Sequence, residues 1–224
     1  MKGENPETKT EGKTDYEMIA QVVIITVLAM LLLYNGMKIF GGENSLTGVA
    51  KGIGTVSASE IIPTGTPAVY GDELGIKYDY ITPNNAQLTQ ATINKLASYE
   101  DEKLTDAQMG RYKKIGSSIS CEYCCGAQSL IFSNGERACG CAHSYAMRGL
   151  AKYLLINHPD MTDLEILSEL GKWKVLFFPG IHEQKANVLE ANGIDSKDYI
   201  NLASNKYRGI EQGQSSGGSM VGGC

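Results

Sequence analysis

The sequence lacks the patterns that would assign it to a familiar class of enzyme or nucleic-acid binder. It contains no phosphate-binding glycine loop, no G-x-S-x-G motif and no H-E-x-x-H motif. Lys and Arg form no long run, and the formal net charge is −5. Nucleic-acid binders usually carry a clustered basic surface. We therefore expect no nucleic-acid partner. Whether the protein has a small-molecule substrate stays open.

Residues 18–37 contain no charged side chain. A helix needs about 20 apolar residues to cross the hydrocarbon layer of a membrane, so this segment predicts a transmembrane helix. A cleaved signal peptide is disfavoured, because the apolar run is too long and its N-terminal flank is mixed in charge. We therefore expect a single-pass membrane-anchored protein. Lysines before the segment slightly outnumber those after it, which favours an extracytoplasmic soluble domain.

Composition divides the chain into five predicted regions. Gly and Ser dominate two of them, which suits a linker and a flexible tail. The regions are a polar flank (1–17), the transmembrane helix (18–37), a Gly/Ser-rich linker (38–60), a soluble Cys/His metal-binding domain (61–208) and a Gly/Ser tail ending in Cys (209–224).

The soluble region shows mainly helical patterns. A helix is predicted over about 84–99, and capping boxes predict helix starts at Thr105, with Gln108, and at Thr162, with Glu165. A further helix is predicted to begin near Cys141. The predicted fold class is therefore mainly α with one small β-hairpin (α+β).

The most informative feature is a cluster of cysteines. Five of the six cysteines lie between residues 121 and 141. A disulfide framework usually spreads its cysteines along the chain, whereas a tight cluster beside a histidine favours metal ligands. Disulfides remain an alternative. The candidate metal ligands are Cys121, Cys124, Cys139, Cys141 and His143.

The spacing of these residues indicates how they could converge. Cys121 and Cys124 form a C-x-x-C pair, which lets two thiolates face one ion from a tight turn. Asn134-Gly135 is a preferred pair for a two-residue hairpin turn, so a β-hairpin would return the chain to Cys139. Cys141 and His143 would then lie near a helix start, where free N–H groups stabilise thiolates.

This order of cysteine turn, hairpin and helix start resembles the treble-clef type of zinc finger over about residues 121–155. The resemblance implies a structural zinc with two ligands from the turn and two from the helix start. The second pair is usually C-x-x-C, whereas this chain has Cys139-x-Cys141-x-His143. Which two of those three complete the site stays open. A thiolate-rich site also suits copper or another soft metal.

Two cysteines are surplus to a four-ligand site. Cys125 is the expected spare, because adjacent side chains such as Cys124 and Cys125 seldom bind one ion together. Cys224 ends a tail whose last fifteen residues, as random coil, explore roughly 20 Å. It could reach the cluster to supply a ligand or resolve an oxidised thiol, or it has no role.

Three functions follow from these features. The first is a membrane-anchored binding or interaction module with structural zinc and a protein partner. The second is a protein that handles soft metals (Cu, Zn or Hg) or thiol redox chemistry through Cys125 and Cys224. The third, an enzyme with Cys125 as nucleophile and His143 as base, is disfavoured because no third orienting group is evident. We therefore expect a non-enzyme.

Overall fold

The computed structural model describes residues 18–28, 30, 55–212 and 221. The chain divides into two units, residues 1–52 and 53–224, and each is considered by itself. In the first unit, residues 18–28 and 30 are helical and exposed (α1).

The predicted transmembrane helix over residues 18–37 is contradicted by the structure. None of the helices among the described residues combines the length and the apolar character that a membrane crossing requires. A span needs roughly 20 apolar helical residues. The predictions of a single-pass membrane location and of an extracytoplasmic domain, which rested on this helix, are therefore wrong. Residues 29 and 31–37 lie outside the described part.

The second unit is helical throughout its described residues. It contains nine α-helices and two short 3-10 helices there, and no strand. The α-helices are α2 (Ala58–Ile61), α3 (Gly71–Leu74), α4 (Ala86–Ala97), α5 (Asp106–Ser117), α6 (Glu122–Cys125), α7 (Ala142–Asn157), α8 (Asp163–Phe177), α9 (Pro179–Ala191) and α10 (Tyr199–Ala203); the 3-10 helices are Tyr78–Tyr80 and Asn205–Tyr207.

Local side-chain hydrogen bonds account for several helix starts. At α5, Gln108 N donates to Thr105 Oγ1 at 3.3 Å, and the Gln108 side chain accepts from Thr105 N at 2.9 Å. Thr162 and Glu165 form the same reciprocal pair at the start of α8. Each pair satisfies backbone N–H groups that a helix start leaves free. Both predicted capping boxes are therefore present.

The predicted β-hairpin is wrong, although the chain does turn back near Asn134-Gly135. Among the described residues the pairing is limited to one antiparallel bridge, between Ile131 and Arg137. Across the turn, Phe132 N also donates to Glu136 O at 2.8 Å and Ala138 N to Leu130 O at 3.1 Å, but the arms form no strand among the described residues. Leu130 N donates to the carbonyl oxygens of Gly116 and Ile119, at 3.0 Å each. The short arms therefore dock on the end of α5 instead of extending into strands, and the predicted α+β class is corrected to mainly α.

Helix α7 lies at the centre of the hydrophobic core. Eleven of its 16 residues are buried, and it packs against α4, α5 and α8. The contact with α4 is backbone to backbone, because a Cβ atom built on Gly149 would overlap the carbonyl oxygen of Leu96. Only glycine permits this approach.

A buried ion pair fastens the loop between α6 and α7 to this core. The Arg148 side chain is fully buried and forms a salt bridge with Glu100. Its Nη1 also donates to Leu130 O at 3.1 Å and to Cys139 O at 2.8 Å. Because a buried guanidinium needs several acceptors, these bonds fix both arms of the loop against α7.

We predict that Gly149→Ala destabilises the protein by about 1–3 kcal/mol, because the added methyl group must push α4 from α7. Gly110→Ala is the matched control. Gly110 lies within α5 with open space around its Cα, so alanine should stabilise the helix by about 0.5–1 kcal/mol. Urea unfolding followed by circular dichroism measures both, and equal effects of the two variants would contradict the tight α4–α7 contact.

Candidate metal centre

The first cysteines lie around a single helical turn. Cys121 is the N-cap of α6, and the turn ends at Gly126, which has a positive φ of 67°. Residues three apart lie on the same side of a helical turn, so Cys121 and Cys124 face the same region. Cys121 is fully buried, and Cys124 is partly buried.

The later candidates lie at the start of α7, where the sequence predicted a helix. Cys141 is the N-cap, and its Sγ accepts a hydrogen bond from Ser144 N at 3.4 Å. His143 follows in the first turn and is fully buried. Free N–H groups at a helix start stabilise negative charge, so this position favours a thiolate at Cys141.

The hydrogen bonding of His143 defines which ring nitrogen is available. Its Nε2 lies 2.8 Å from the carbonyl oxygen of Val221. A carbonyl oxygen only accepts, so Nε2 carries the proton and Nδ1 keeps a free lone pair. Nδ1 is buried and has no hydrogen-bond partner in the structure. Burying such a nitrogen unpaired costs free energy, which points to a ligand for Nδ1.

Four of the predicted ligands come together. The sulfur atoms of Cys121, Cys124 and Cys141 and a ring nitrogen of His143 all lie within 4.8 Å of one another, so this group could hold a metal ion. Three sulfurs and one imidazole nitrogen form a donor set typical of tetrahedral zinc sites. The fifth candidate, Cys139, is instead bonded to Cys125.

Two thiols in this group are free and share a hydrogen bond. The sulfur atoms of Cys121 and Cys141 are 3.3 Å apart. This shared bond, with burial adding to it, raises the pKa of Cys121. The same bond, helped by hydrogen bonding from Ser144, lowers the pKa of Cys141 against the effect of burial. The two sulfurs therefore share one hydrogen bond that makes Cys141 the more acidic thiol of the pair, and metal binding requires thiolates.

The remaining described cysteines are oxidised. A disulfide joins Cys125 to Cys139, and Cys124 is also disulfide-bonded. The cluster thus combines disulfides with the two free thiols, and Cys125 is not available as a nucleophile in this state. Cys124 can ligate a metal only after its bond is reduced, because the ligand is a thiolate. Cys224 lies outside the described residues.

A buried ion-pair network that the sequence reasoning missed supports α6. Lys174 Nζ donates to Glu122 Oε1 at 3.0 Å and to Ala203 O at 2.9 Å. Burial lowers the pKa of Lys174 to about 8, although the Glu122 charge opposes that effect. The available signal was the position of Lys174 inside the apolar run 173–178, where a lysine needs a buried partner.

Arg208 closes the other side of the same turn. Its Nε lies 3.1 Å from Glu122 Oε2. Its Nη1 donates to Ser120 Oγ at 2.6 Å and to Ala127 O at 2.9 Å. Residues just before, within and just after α6 are therefore tied to one guanidinium, which holds the cysteine turn in place.

Comparisons of the chain with protein-family models, curated proteins and solved structures found no match. The treble-clef resemblance covers only the ligand region, and its hairpin is absent from the described residues. Function is therefore argued from the chemistry of the site.

We predict that a Cys125→Ser/Cys139→Ser double variant is less stable than the parent protein by about 3 kcal/mol under non-reducing conditions. The disulfide joins residues 14 positions apart, and a link of that length restricts the unfolded chain by about this amount. Urea unfolding gives the difference, and peptide mapping without reduction checks the pairing. The difference in unfolding free energy should disappear when both proteins are reduced. A difference that persists after reduction would arise from side-chain packing and not from the disulfide.

Proposed function

We propose that this protein is a metal-binding protein that holds one Zn²⁺ ion on Cys121, Cys124, Cys141 and His143 once Cys124 is reduced. The observation that carries the proposal is the buried Nδ1 of His143, which has no hydrogen-bond partner. The ligand atoms of all four residues lie within 4.8 Å of one another. A metal ion would accept the lone pair of His143 Nδ1 and bind the neighbouring thiolates at the same time.

Charge around the group supports a divalent cation. Three thiolates and Zn²⁺ leave one net negative charge. The buried cation of Lys174 acts on Cys121 and lowers its pKa, against the larger effects of the Cys141 hydrogen bond and burial. A positive charge close to a thiolate site offsets the remaining charge in a low-dielectric interior.

The position of the ligands supports a structural role for the ion. The metal would join the α6 turn to the start of α7, which lies at the core. His143 and Cys121 are fully buried, and four protein ligands leave no open position for a substrate. We therefore favour a binding or interaction module, with a protein partner, over an enzyme.

Metal titration of the full chain tests this proposal. After reduction, we expect one equivalent of Zn²⁺ to bind and to raise the midpoint of thermal unfolding, because the ion binds only the folded site. Co²⁺ should give the visible absorption of a tetrahedral site with thiolate ligands. Cys141→Ser and His143→Gln should lose this signal.

Two matched variants make the metal test specific. His158 lies outside the cluster and pairs with Glu73, so His158→Gln should retain full binding. The Cys125→Ser/Cys139→Ser variant should also bind one equivalent, since neither thiol belongs to the four-ligand group. Absence of metal from the reduced full chain, or equal losses in His143→Gln and His158→Gln, would rule out the proposed site.

A second candidate function, thiol–disulfide exchange, is favoured by one observation. The Cys141 sulfur lies within 4.8 Å of the sulfurs of both Cys125 and Cys139, which are bonded to each other. Attack by the Cys141 thiolate on the Cys139 sulfur would form a new S–S bond and release Cys125 as thiolate. Electrons balance within the protein, so the step needs no outside oxidant.

Disulfide mapping distinguishes this second function. Incubation of the metal-free, unreduced protein at mildly alkaline pH, followed by acid quenching, should yield a fraction with Cys139 bonded to Cys141. Cys141→Ser should abolish this isomer, and Cys121→Ala should retain it. If the incubated and immediately quenched samples give the same map, exchange through Cys141 does not occur.

A further inference from the structure

Val221 contacts the candidate metal centre through its backbone carbonyl. Its carbonyl oxygen accepts the hydrogen bond from His143 Nε2 at 2.8 Å. Its own N–H donates to Phe177 O at 2.8 Å. The residue is only 2% exposed and belongs to the main hydrophobic core. Both backbone polar groups of Val221 are therefore hydrogen-bonded, and its carbonyl oxygen binds the candidate metal ligand His143.

The His143 ring is held from other sides by aromatic packing. Its centroid lies 4.5 Å from that of Phe177 and 5.1 Å from that of Phe178. These contacts limit the position of the ring, but they do not choose which nitrogen is protonated. Among the described residues, the Val221 carbonyl is the group that fixes the proton on Nε2.

This arrangement matches the second coordination shell of a metal site. A histidine that binds a metal through one nitrogen usually donates its other N–H to a carbonyl or carboxylate, which orients the ring and makes it a better ligand. A cation on Nδ1 would in turn make the Nε2–H a stronger donor to Val221. Each interaction therefore strengthens the other.

We infer that Val221 is a positioning residue for the metal ligand His143, and that metal binding and the burial of Val221 are thermodynamically linked. This inference rests on the proposed metal site and adds a regulatory property to it. Linkage is reciprocal, so a partner that removes Val221 from the core would weaken metal binding by the same factor by which metal strengthens that burial.

Shortening the Val221 side chain tests its packing without removing the carbonyl oxygen that positions His143. It lines a cavity of about 300 Å³ together with Ile81, Leu176 and Pro179. A Val221→Ala variant keeps both backbone hydrogen bonds and loses only part of this packing. Its metal affinity should therefore stay closer to that of the parent than the affinity of a chain without the residue.

The test compares two truncated chains that have the same cysteines. The chain 1–222 retains the Val221 carbonyl as an amide, whereas the chain 1–220 lacks it, and both lack Cys224. Zn²⁺ affinity is measured on reduced proteins by competition with a chelator. We expect 1–220 to bind about 10–100-fold more weakly than 1–222, as is typical after loss of a second-shell partner.

A second measurement on the intact chain keeps the inference testable if 1–220 folds poorly. Hydrogen exchange at the Val221 amide is compared with and without Zn²⁺ in the reduced full-length protein. We expect the ion to slow this exchange. The Ser98 amide at the C-terminal end of α4, which donates to Asn94 O at 3.0 Å, serves as a reference and should change less.

The outcomes separate this inference from the proposed function. If the full chain binds one Zn²⁺ but 1–220 and 1–222 bind it equally, or Zn²⁺ leaves exchange at Val221 unchanged, the linkage is refuted while the metal site stands. If the reduced full chain binds no Zn²⁺, both are refuted. Weaker binding by 1–220 together with slower exchange at Val221 supports the linkage.

Discussion

The structure around the cluster depends on one constraint, which is that the N-terminal end of α7 lies inside the protein. A helix start leaves N–H groups without helical partners, and here Cys141, His143 and Ser144 are buried. Cys141 satisfies one of them, at Ser144, and His143 is fully buried in the same turn. Because Gly149 presses α7 directly onto α4, this end of the helix cannot withdraw to the surface.

The oxidation state of the cysteines determines how many ligands the buried start of α7 and the neighbouring α6 turn can offer to a metal ion. In the described state Cys121 and Cys141 are free, while Cys124 is oxidised. Two thiols and one imidazole are then available to a metal, and reduction of Cys124 supplies the fourth donor. The ion-pair network of Glu122, with Lys174 and Arg208, holds the α6 turn in place whichever state is present.

Two predictions failed for identifiable physical reasons. The apolar character of residues 18–37 indicated a membrane span, but an uncharged composition does not by itself produce a helix of the required length, and no helix among the described residues is long and apolar enough. The Asn134-Gly135 signal correctly indicated a reversal of the chain. It did not show that Leu130 would hydrogen-bond to the end of α5 and that Cys139 O would accept from Arg148, which leaves only one bridge.

The sequence by itself determined local features: the helix starts with their capping boxes, and the C-x-x-C pairing of Cys121 with Cys124. These features depend on residues a few positions apart, so the spacing of residues in the sequence predicts them. It left open which two of Cys139, Cys141 and His143 would join the C-x-x-C pair. Only the tertiary structure decided that Cys139 bonds to Cys125 and that a carbonyl 78 positions away fixes the His143 proton. Such choices depend on distances between segments remote in sequence, which the packing of α7 and α8 sets and which residue spacing does not encode.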